Sequence, residues 1–251
     1  MTSQVVREIL RETRERLSAS TPPTDPMKVN DPRNLPARAA DLRSRGISPI
    51  IAEIKPRILG RSLLPEEVAA MARRYEADGA CAISVLTQPT YFLGSPENAK
   101  SAREASSLPI LRKDFILEER QLDEVGCDLV LLIAAFSKDL DGLVEAAEAR
   151  GMEPLVEVHT EEELIAALKT GTRMVGINNR NLSTLEVSLD TFERLGPVAK
   201  GTGLFVVAES GIETRKDVLR MEEAGADALL VGTSLMREPA LLPHLNGAAR
   251  P

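Results

Sequence analysis

Eight short apolar runs recur along this chain, and each is followed by a stretch with helical spacing of apolar residues. They occupy residues 49–54, 81–86, 109–111, 128–133, 154–158, 173–177, 204–208 and 228–231. Nearly continuous apolar strands that alternate with helices are typical of a parallel sheet covered on both faces. Eight such units predict an α/β chain folded as a closed (β/α)8 TIM barrel, a fold of about 250 residues. An open doubly wound sheet is the alternative, but it normally has a Gly-rich first turn, and after Ile54 only Gly60 occurs.

The first fifth of the chain lies outside this eight-fold pattern. Residues 2–18 and 35–45 have the apolar spacing of helices, whereas residues 21–36 are rich in Pro, Asp and Asn and indicate an irregular linker. We expect residues 1–251 to form a single barrel domain, in which residues 1–48 are an N-terminal helical extension. The extension either covers the bottom or flank of the barrel or contributes to the substrate mouth. We favour a covering role with a minor share in the site.

The charge, the apolar stretches and the cysteines of the chain limit which partners it can bind and in which compartment we expect it. The net charge of -7 and the absence of a long basic run argue against nucleic acid or an anionic membrane surface as a partner. The chain has no uninterrupted apolar stretch of about 20 residues and no signal peptide. Cys81 and Cys127 lie at strand starts among small and apolar neighbours, which favours buried free thiols over a disulfide. We therefore expect a cytoplasmic protein.

Most of the apolar runs stop at a charged or hydrogen-bonding residue, and in a barrel the carboxyl ends of the strands form the active site. The two-residue period of a strand places Glu53 and Lys55 on the same face. One interpretation is a buried salt bridge that closes the top layer of the core. The other is a catalytic lysine that is held and tuned by a carboxylate.

Two further strand ends carry groups suited to proton transfer. Lys113 ends the third strand and can donate a proton if burial and a neighbouring cation such as Lys55 lower its pKa toward neutrality. Glu157 lies between valines of the fifth strand, so it needs a buried partner, for which we expect a lysine. Together with Glu53, these residues indicate general acid and base catalysis.

The last three strands end in groups suited to binding anions. Asn178 and Arg180 follow the sixth strand; they either stabilise a loop or, in the case of Arg180, bind a substrate carboxylate. Small residues follow the seventh and eighth strands, where backbone N–H groups of such barrels commonly bind phosphate. They are Ser210, Gly211, Gly232 and Thr233. These residues also serve as turns and caps, but their occurrence at both strands predicts a phosphate monoester substrate.

Other chemistries have little support. The only histidines, His159 and His244, are far apart without a ligand cluster, so we expect no metal site. Neither cysteine lies at the carboxyl end of a strand, and no nicotinamide or flavin motif occurs. His159 is assigned to the loop that starts the next helix.

Six motifs resemble those of the indole-3-glycerol phosphate synthase family of tryptophan biosynthesis. In chain order they read IIAEIK (50–55), LRKDF (111–115), PLVEV (154–158), GINNRNL (176–182), AESGI (208–212) and VGTSLM (231–236). The resemblance covers essentially the whole chain. It implies a carboxy-lyase that closes 1-(2-carboxyphenylamino)-1-deoxyribulose 5-phosphate to an indole, with loss of carbon dioxide and water and without a cofactor. An association with other tryptophan-pathway enzymes is a further expectation.

The resemblance also implies roles for individual residues. Lys113 is the general acid at the ribulose carbonyl, Glu157 is the base or acid partner in dehydration, and Lys55 stabilises the carboxylate or the departing hydroxyl. Glu53 and Asn178 orient these groups, and Arg180 lies near the anthranilate carboxylate. The implied substrate-binding residues comprise Phe115 and Leu182 as walls for the aromatic ring, Ser210, Gly211, Gly232 and Thr233 at the phosphate, and Glu209 beside them.

Two features depart from the family pattern. The stretch after Lys55 lacks the usual Ser-Pro-Ser and has Ile58 in place of a substrate-binding serine, so Arg57, Arg61 or Ser62 are candidate substitutes as anion ligands. The third repeat leaves only residues 117–124 for its helix, which should be short or partly irregular. The altered loop motivates one alternative, a phosphometabolite-binding barrel with weak or no catalysis that acts as a partner subunit. A related phosphosugar isomerase is another.

Overall fold

Eight parallel strands close on themselves in this computed structural model, which describes residues 2–21 and 26–248. The strands are β1 (Ile50–Ile54), β2 (Ala82–Leu86), β3 (Ile110–Lys113), β4 (Leu129–Ile133), β5 (Glu153–Val158), β6 (Met174–Asn178), β7 (Phe205–Glu209) and β8 (Ala228–Val231). Each strand pairs with the next, and β8 returns to β1, where Leu229 is in register with Ile50. The predicted (β/α)8 barrel is therefore confirmed, and the open sheet is excluded.

Helices surround the barrel and precede it. They are α1 (Gln4–Ala19), α2 (Leu35–Ser44), α3 (Pro65–Ala77), α4 (Pro96–Ala105), α5 (Leu140–Ala149), α6 (Glu161–Lys169), α7 (Asp190–Gly201), α8 (Arg215–Glu223), α9 (Thr233–Arg237) and α10 (Leu242–Leu245). The helix of the third repeat is reduced to the 3-10 segment Glu119–Asp123, as its short length predicts, and further 3-10 turns lie at Pro56–Leu59, Ala134–Phe136 and Pro239–Leu241. In residues 2–21 and 26–248, no helix combines the length and apolar character needed to cross a bilayer.

Alternate strand residues pack into two apolar layers. In β1, Ile51 points into the barrel, where it belongs to one buried cluster with Leu111 and Leu155. Its neighbours Ile50 and Ala52 belong to the other cluster, between strands and helices. Because both faces of each strand are buried, the sequence shows continuous apolar runs rather than alternation. The inward residues fill the lower barrel and leave its carboxyl end to polar groups.

The helical extension contacts both ends of the barrel. Leu35 and Leu42 of α2 join the inner cluster, so α2 covers the bottom as expected. At the other end, the Ser3 N–H just before α1 donates to the Leu182 carbonyl in the loop after β6 at 2.9 Å. The Thr90 hydroxyl after β2 donates to Glu12 of α1. The extension thus covers the bottom of the barrel through α2, while α1 contacts the loops that surround the mouth.

The linker between α1 and α2 is irregular over residues 26–34, as expected, while residues 22–25 of the predicted linker lie outside the described part of the chain. One carboxylate at the amino end of β4 holds this linker to the barrel. Asp128 accepts the Arg33 N–H at 3.0 Å and the Ile110 N–H at 2.9 Å, and it pairs with Arg103 at 3.1 Å. Its side chain is fully buried.

Replacing Asp128 should destabilise the protein more than the loss of an ordinary surface charge. Asp128→Ala leaves buried N–H groups and Arg103 without their acceptor, so we expect the free energy of unfolding to fall by about 3–5 kcal/mol. Urea unfolding measures the change. The matched control is Asp41→Ala. Asp41 is exposed and makes a surface ion pair with Arg45 at 3.4 Å, so its loss should lower the free energy of unfolding by less than about 1 kcal/mol. Equal losses in the two variants would contradict this account of the linker.

Candidate active site

A cavity of about 340 Å³ opens at the carboxyl ends of the strands. Its lining includes the catalytic and substrate-binding residues inferred from the sequence except Glu209, which lies fully buried next to it, and it excludes the suggested anion ligands Arg57, Arg61 and Ser62. The chemistry-bearing groups in the lining are Glu53, Lys55, Lys113, Glu157, Asn178 and Arg180. Residues that are distant in sequence therefore meet at one end of the barrel.

Lys113 lies among three carboxylates that come from three different strands. Its Nζ is 2.7 Å from Glu209 Oε2 and 3.5 Å from Glu53 Oε2, and Glu157 adds a third negative charge. Burial disfavours the charged lysine, but Glu209, Glu53 and Glu157 together raise its pKa above the ordinary value. The expectation of a pKa lowered toward neutrality is therefore wrong, and Lys113 is a protonated donor.

Lys55 belongs to the same cluster but pairs with the other oxygen of Glu53. Its Nζ is 3.6 Å from Glu53 Oε1, so the two side chains share a face as the strand period predicts. The ammonium also lies 5.5 Å from the centre of the Phe92 ring, a cation–π distance. Lys55 thus faces the cavity, and Glu53 connects the two lysines electrostatically.

Glu209 is predicted to bind substrate together with Ser210 and Gly211. Its side chain accepts a hydrogen bond from Lys113 and lies next to the cavity rather than in its lining. Burial, together with the nearby Glu157 and Glu53, raises the pKa of Glu209 to about 7 despite the attraction of Lys113. Gly176 on the adjacent strand makes room for it, since a Cβ there would lie 2.2 Å from Glu209 Oε1.

Glu157 is held by two neighbours, neither of which is a lysine. Its Oε1 accepts Asn178 Nδ2 at 3.1 Å and lies 3.2 Å from Nε2 of His159. Burial opposes ionisation, but His159, Lys113 and Asn178 lower the pKa of Glu157 to about 2. The expectation of a lysine in direct contact with Glu157 is therefore wrong. Lys113 acts on Glu157 only through space, and His159 makes the close contact.

Asn178 connects the carboxylate to the loop that carries Arg180. While its Nδ2 binds Glu157, its Oδ1 accepts the Arg180 N–H at 2.9 Å. Arg180 Nη1 donates to the Leu185 carbonyl at 2.9 Å, which fixes the guanidinium at the cavity wall. The asparagine thus stabilises the loop, as one interpretation of this segment predicts, and Arg180 lines the cavity.

The apolar side of the cavity is larger than the sequence indicated. Phe115 and Leu182 line it, and the Phe115 ring stacks on Phe136 with 6.0 Å between ring centres. Additional apolar lining that the sequence analysis missed comes from Phe92, Leu131 and Ile133. The two β4 residues could have been found from the inward period of that strand, whereas Phe92 lies in a loop without such a signal.

Small residues after β7 and β8 form the opposite wall. Ser210 and Gly211 have φ values of 63° and 80°, so the chain turns through the left-handed region directly after β7. Gly232 and Thr233 line the same region, and Ser234 Oγ is buried there without a hydrogen-bond partner among the described residues. A buried hydroxyl without a partner can donate a hydrogen bond to an acceptor atom of a ligand.

The loop after β1 does not supply the suggested substitute anion ligands to this wall. Arg57 stacks on the Tyr91 ring at 3.8 Å, and Arg61 pairs with Glu67. Only Lys55 from this loop region lines the cavity, whereas Arg237, which the sequence analysis did not consider, does so from α9.

Comparison with known proteins shows the family of this chain. The family model for indole-3-glycerol phosphate synthase matches residues 4–244. The chain belongs to this family. It is similar to a synthase of that name from Halobacterium salinarum, with 44% identity over 236 residues, 93% of this chain and 92% of that protein. A synthase of the same name from Carboxydothermus hydrogenoformans has 45% identity over 217 residues, 82% of this chain and 81% of that protein.

A solved structure shares the fold alone. It is the N-acetylmannosamine-6-phosphate 2-epimerase from Clostridium perfringens, with a TM-score of 0.59 and 18% identity. The match covers 80% of this chain and 93% of the epimerase chain. This likeness supports the barrel architecture.

The space left by Gly176 should be essential for the buried carboxylate. Gly176→Ala forces Glu209 out of a fully buried position, so we expect a loss of about 1–3 kcal/mol in the free energy of unfolding. The control is Gly201→Ala near the end of α7, where a Cβ meets nothing within 4 Å. Urea unfolding of the control should show unchanged or slightly raised stability, by up to about 1 kcal/mol. A neutral Gly176→Ala variant would contradict the tight fit.

Proposed function

We propose that this chain catalyses the ring closure of 1-(2-carboxyphenylamino)-1-deoxyribulose 5-phosphate to indole-3-glycerol phosphate, with release of carbon dioxide and water. The observation that carries the proposal is the cluster of Lys113 with Glu53, Glu157 and Glu209 in the mouth of a barrel that belongs to the synthase family. Such a cluster provides a proton donor and a proton acceptor a few ångströms apart, which is what condensation followed by dehydration requires.

In the condensation step, the ring carbon that bears the carboxylate attacks the ribulose carbonyl carbon. The carbonyl oxygen becomes basic as this bond forms, and Lys113 transfers its proton to it. The carbon–carboxylate bond then breaks, and its electron pair restores the aromatic ring as carbon dioxide leaves. Arg180 binds the carboxylate before this step and orients it at the apolar wall of Phe115 and Leu182.

In the dehydration step, the hydroxyl formed from the carbonyl takes a second proton from the Lys55 ammonium and leaves as water, while the carbon next to the nitrogen loses a proton to Glu157 to form the indole double bond. Glu157 is the base, and it is ionised because His159, Lys113 and Asn178 lower its pKa. Lys55 stabilises the departing hydroxyl, and Glu53 holds this lysine in place. Asn178 orients Glu157. Glu209 holds Lys113 from below rather than touching the phosphate.

The substrate phosphate is assigned to the wall after β7 and β8. Backbone N–H groups at Ser210, Gly211, Gly232 and Thr233 suit a phosphate group, and the buried Ser234 hydroxyl adds a donor. Arg237 adds a positive charge at the cavity edge.

The wider context of the chain follows from the same proposal. We propose that residues 1–251 act as one domain with residues 1–48 as its extension, supported by the contacts of α1 and α2 with the two barrel ends. A cytoplasmic location is supported by the free, buried thiols of Cys81 and Cys127. An association with other enzymes of the pathway stays a prediction.

Turnover should depend on Lys113. With the carboxyphenylamino deoxyribulose phosphate as substrate, the purified protein should release a fluorescent indole product, and Lys113→Met should lower kcat by about 10²–10⁴-fold. The control is Lys100→Met, because Lys100 lies on the surface, where it makes a long ion pair of 3.9 Å with Glu97. Product formation by Lys113→Met at the wild-type rate would rule out its role as general acid, and absence of product from the folded wild type would rule out the proposed function.

The binding role of Arg180 makes a separate prediction. Arg180→Met removes charged hydrogen bonds to the substrate carboxylate, so KM should rise about 10–100-fold. Steady-state kinetics measure the change, and Arg173→Met is the control because Arg173 is exposed and pairs with Glu153 outside the mouth. An unchanged KM for Arg180→Met would place the carboxylate elsewhere.

A further inference from the structure

A buried histidine stands behind the proposed base and has no part in the chemistry described so far. His159 is one residue past β5, and its side chain is only 10% exposed. Its Nε2 lies 3.2 Å from Glu157 Oε1, and its Nδ1 lies 3.1 Å from Glu163 Oε2 in the first turn of α6. The imidazole therefore bridges the cavity carboxylate to a carboxylate outside it.

Glu163 fixes this ring in place. The same Glu163 Oε2 accepts the His159 backbone N–H at 2.7 Å, so one oxygen holds both the main chain and the ring. Glu163 is itself set by the start of α6, where the Thr160 hydroxyl accepts the Glu163 N–H at 3.2 Å. With Nδ1 directed at a carboxylate, Nε2 is left to face Glu157.

The contact with Glu157 is one of charge rather than of an aligned hydrogen bond. His159 Nε2 has no hydrogen-bond acceptor in good geometry within the described residues, although Glu157 is 3.2 Å away. His159 and Asn178 both approach Oε1, and no described residue hydrogen-bonds Oε2. Because Glu157 lines the cavity, Oε2 is the oxygen available to a substrate.

We propose that His159 is a positioning residue, in which the imidazolium held by Glu163 keeps Glu157 ionised and directs its Oε2 toward the substrate. The inference rests on the proposed function, in which Glu157 is the base of the dehydration. It assigns a purpose to both His159 and Glu163, neither of which reaches the reacting atoms.

The charges around Glu157 explain why a cation is needed there. Besides His159, Lys113 on β3 attracts Glu157 and Glu209 on β7 repels it, while Glu53 on β1 pairs with Lys113. With Glu163 included, the three cations Lys55, Lys113 and His159 lie among four carboxylates. Glu157 and Glu163 raise the pKa of His159 to about 10 in spite of its burial, so the ring is charged at neutral pH. Without the charge of His159, Glu157 loses its nearest cation, so the pKa of Glu157 rises.

The test combines a neutral substitution with a direct measurement of protonation. His159→Gln keeps a polar side chain but removes the charge. We expect the acidic limb of its kcat profile to move to higher pH by about 1–2 units, because an opposite charge at this distance lowers a carboxyl pKa by about 1–3 units. KM should stay within about two-fold of the wild type, since His159 does not contact the substrate.

Two variants on α6 separate positioning from general damage. Glu163→Gln releases the ring and should move the acidic limb in the same direction by a smaller amount. Glu161→Gln, in the same helical turn, alters an exposed residue and should leave the profile unchanged. If His159→Gln does not fold, Glu163→Gln carries the test because it leaves the histidine in place.

Carbon-13 NMR titration of the Glu157 carboxyl without substrate measures the pKa of Glu157 directly and does not depend on turnover. A higher Glu157 pKa in His159→Gln, together with the shifted kcat profile, supports the proposal; an unchanged pKa or an unmoved profile overturns it. If the wild type forms no indole while the NMR shift is present, the proposed function fails and the charge coupling stands by itself.

Discussion

The mouth of this barrel depends on the balance of charges that are almost removed from water. Glu53, Glu157 and Glu209 converge on Lys113, and any one of these carboxylates would be costly to bury without compensation. Lys55 and His159 complete the balance from the rim. Geometry and protonation are therefore linked, because a displaced carboxylate changes both the shape of the cavity and the proton affinity of its neighbours.

The closed sheet is what makes this balance achievable. Each strand contributes one or two side chains at its carboxyl end, and the parallel register brings them to a common level. Lys113 and Glu209 come from opposite parts of the sequence, yet their atoms are 2.7 Å apart. Gly176 and Gly232 provide the remaining space, since a Cβ at either would collide with Glu209 or Glu53. The backbone thus determines where the acids can lie.

The sequence alone was sufficient for the barrel and for most of the site, because apolar runs and strand-end polarity are local signals. The shared face of Glu53 and Lys55 followed from the strand period alone and is confirmed by their 3.6 Å contact. The pKa direction of Lys113 could not be derived in this way, because it depends on how many carboxylates the fold assembles around it. The contact of His159 with Glu157 spans the same two-residue period, but His159 lies past the end of β5, where Glu163 of α6 fixes its ring.

The loop after β1 shows how such a molecule can vary without losing its charge cluster. Arg57 and Arg61 have partners on the rim, at Tyr91 and Glu67, and only Lys55 reaches inward. The strands thus carry the groups of the charge cluster, whereas the arginines of this loop bind other residues on the rim. Substitutions in this loop can therefore change how a substrate enters the cavity, while Glu53, Lys113 and Glu157 stay where the strands place them.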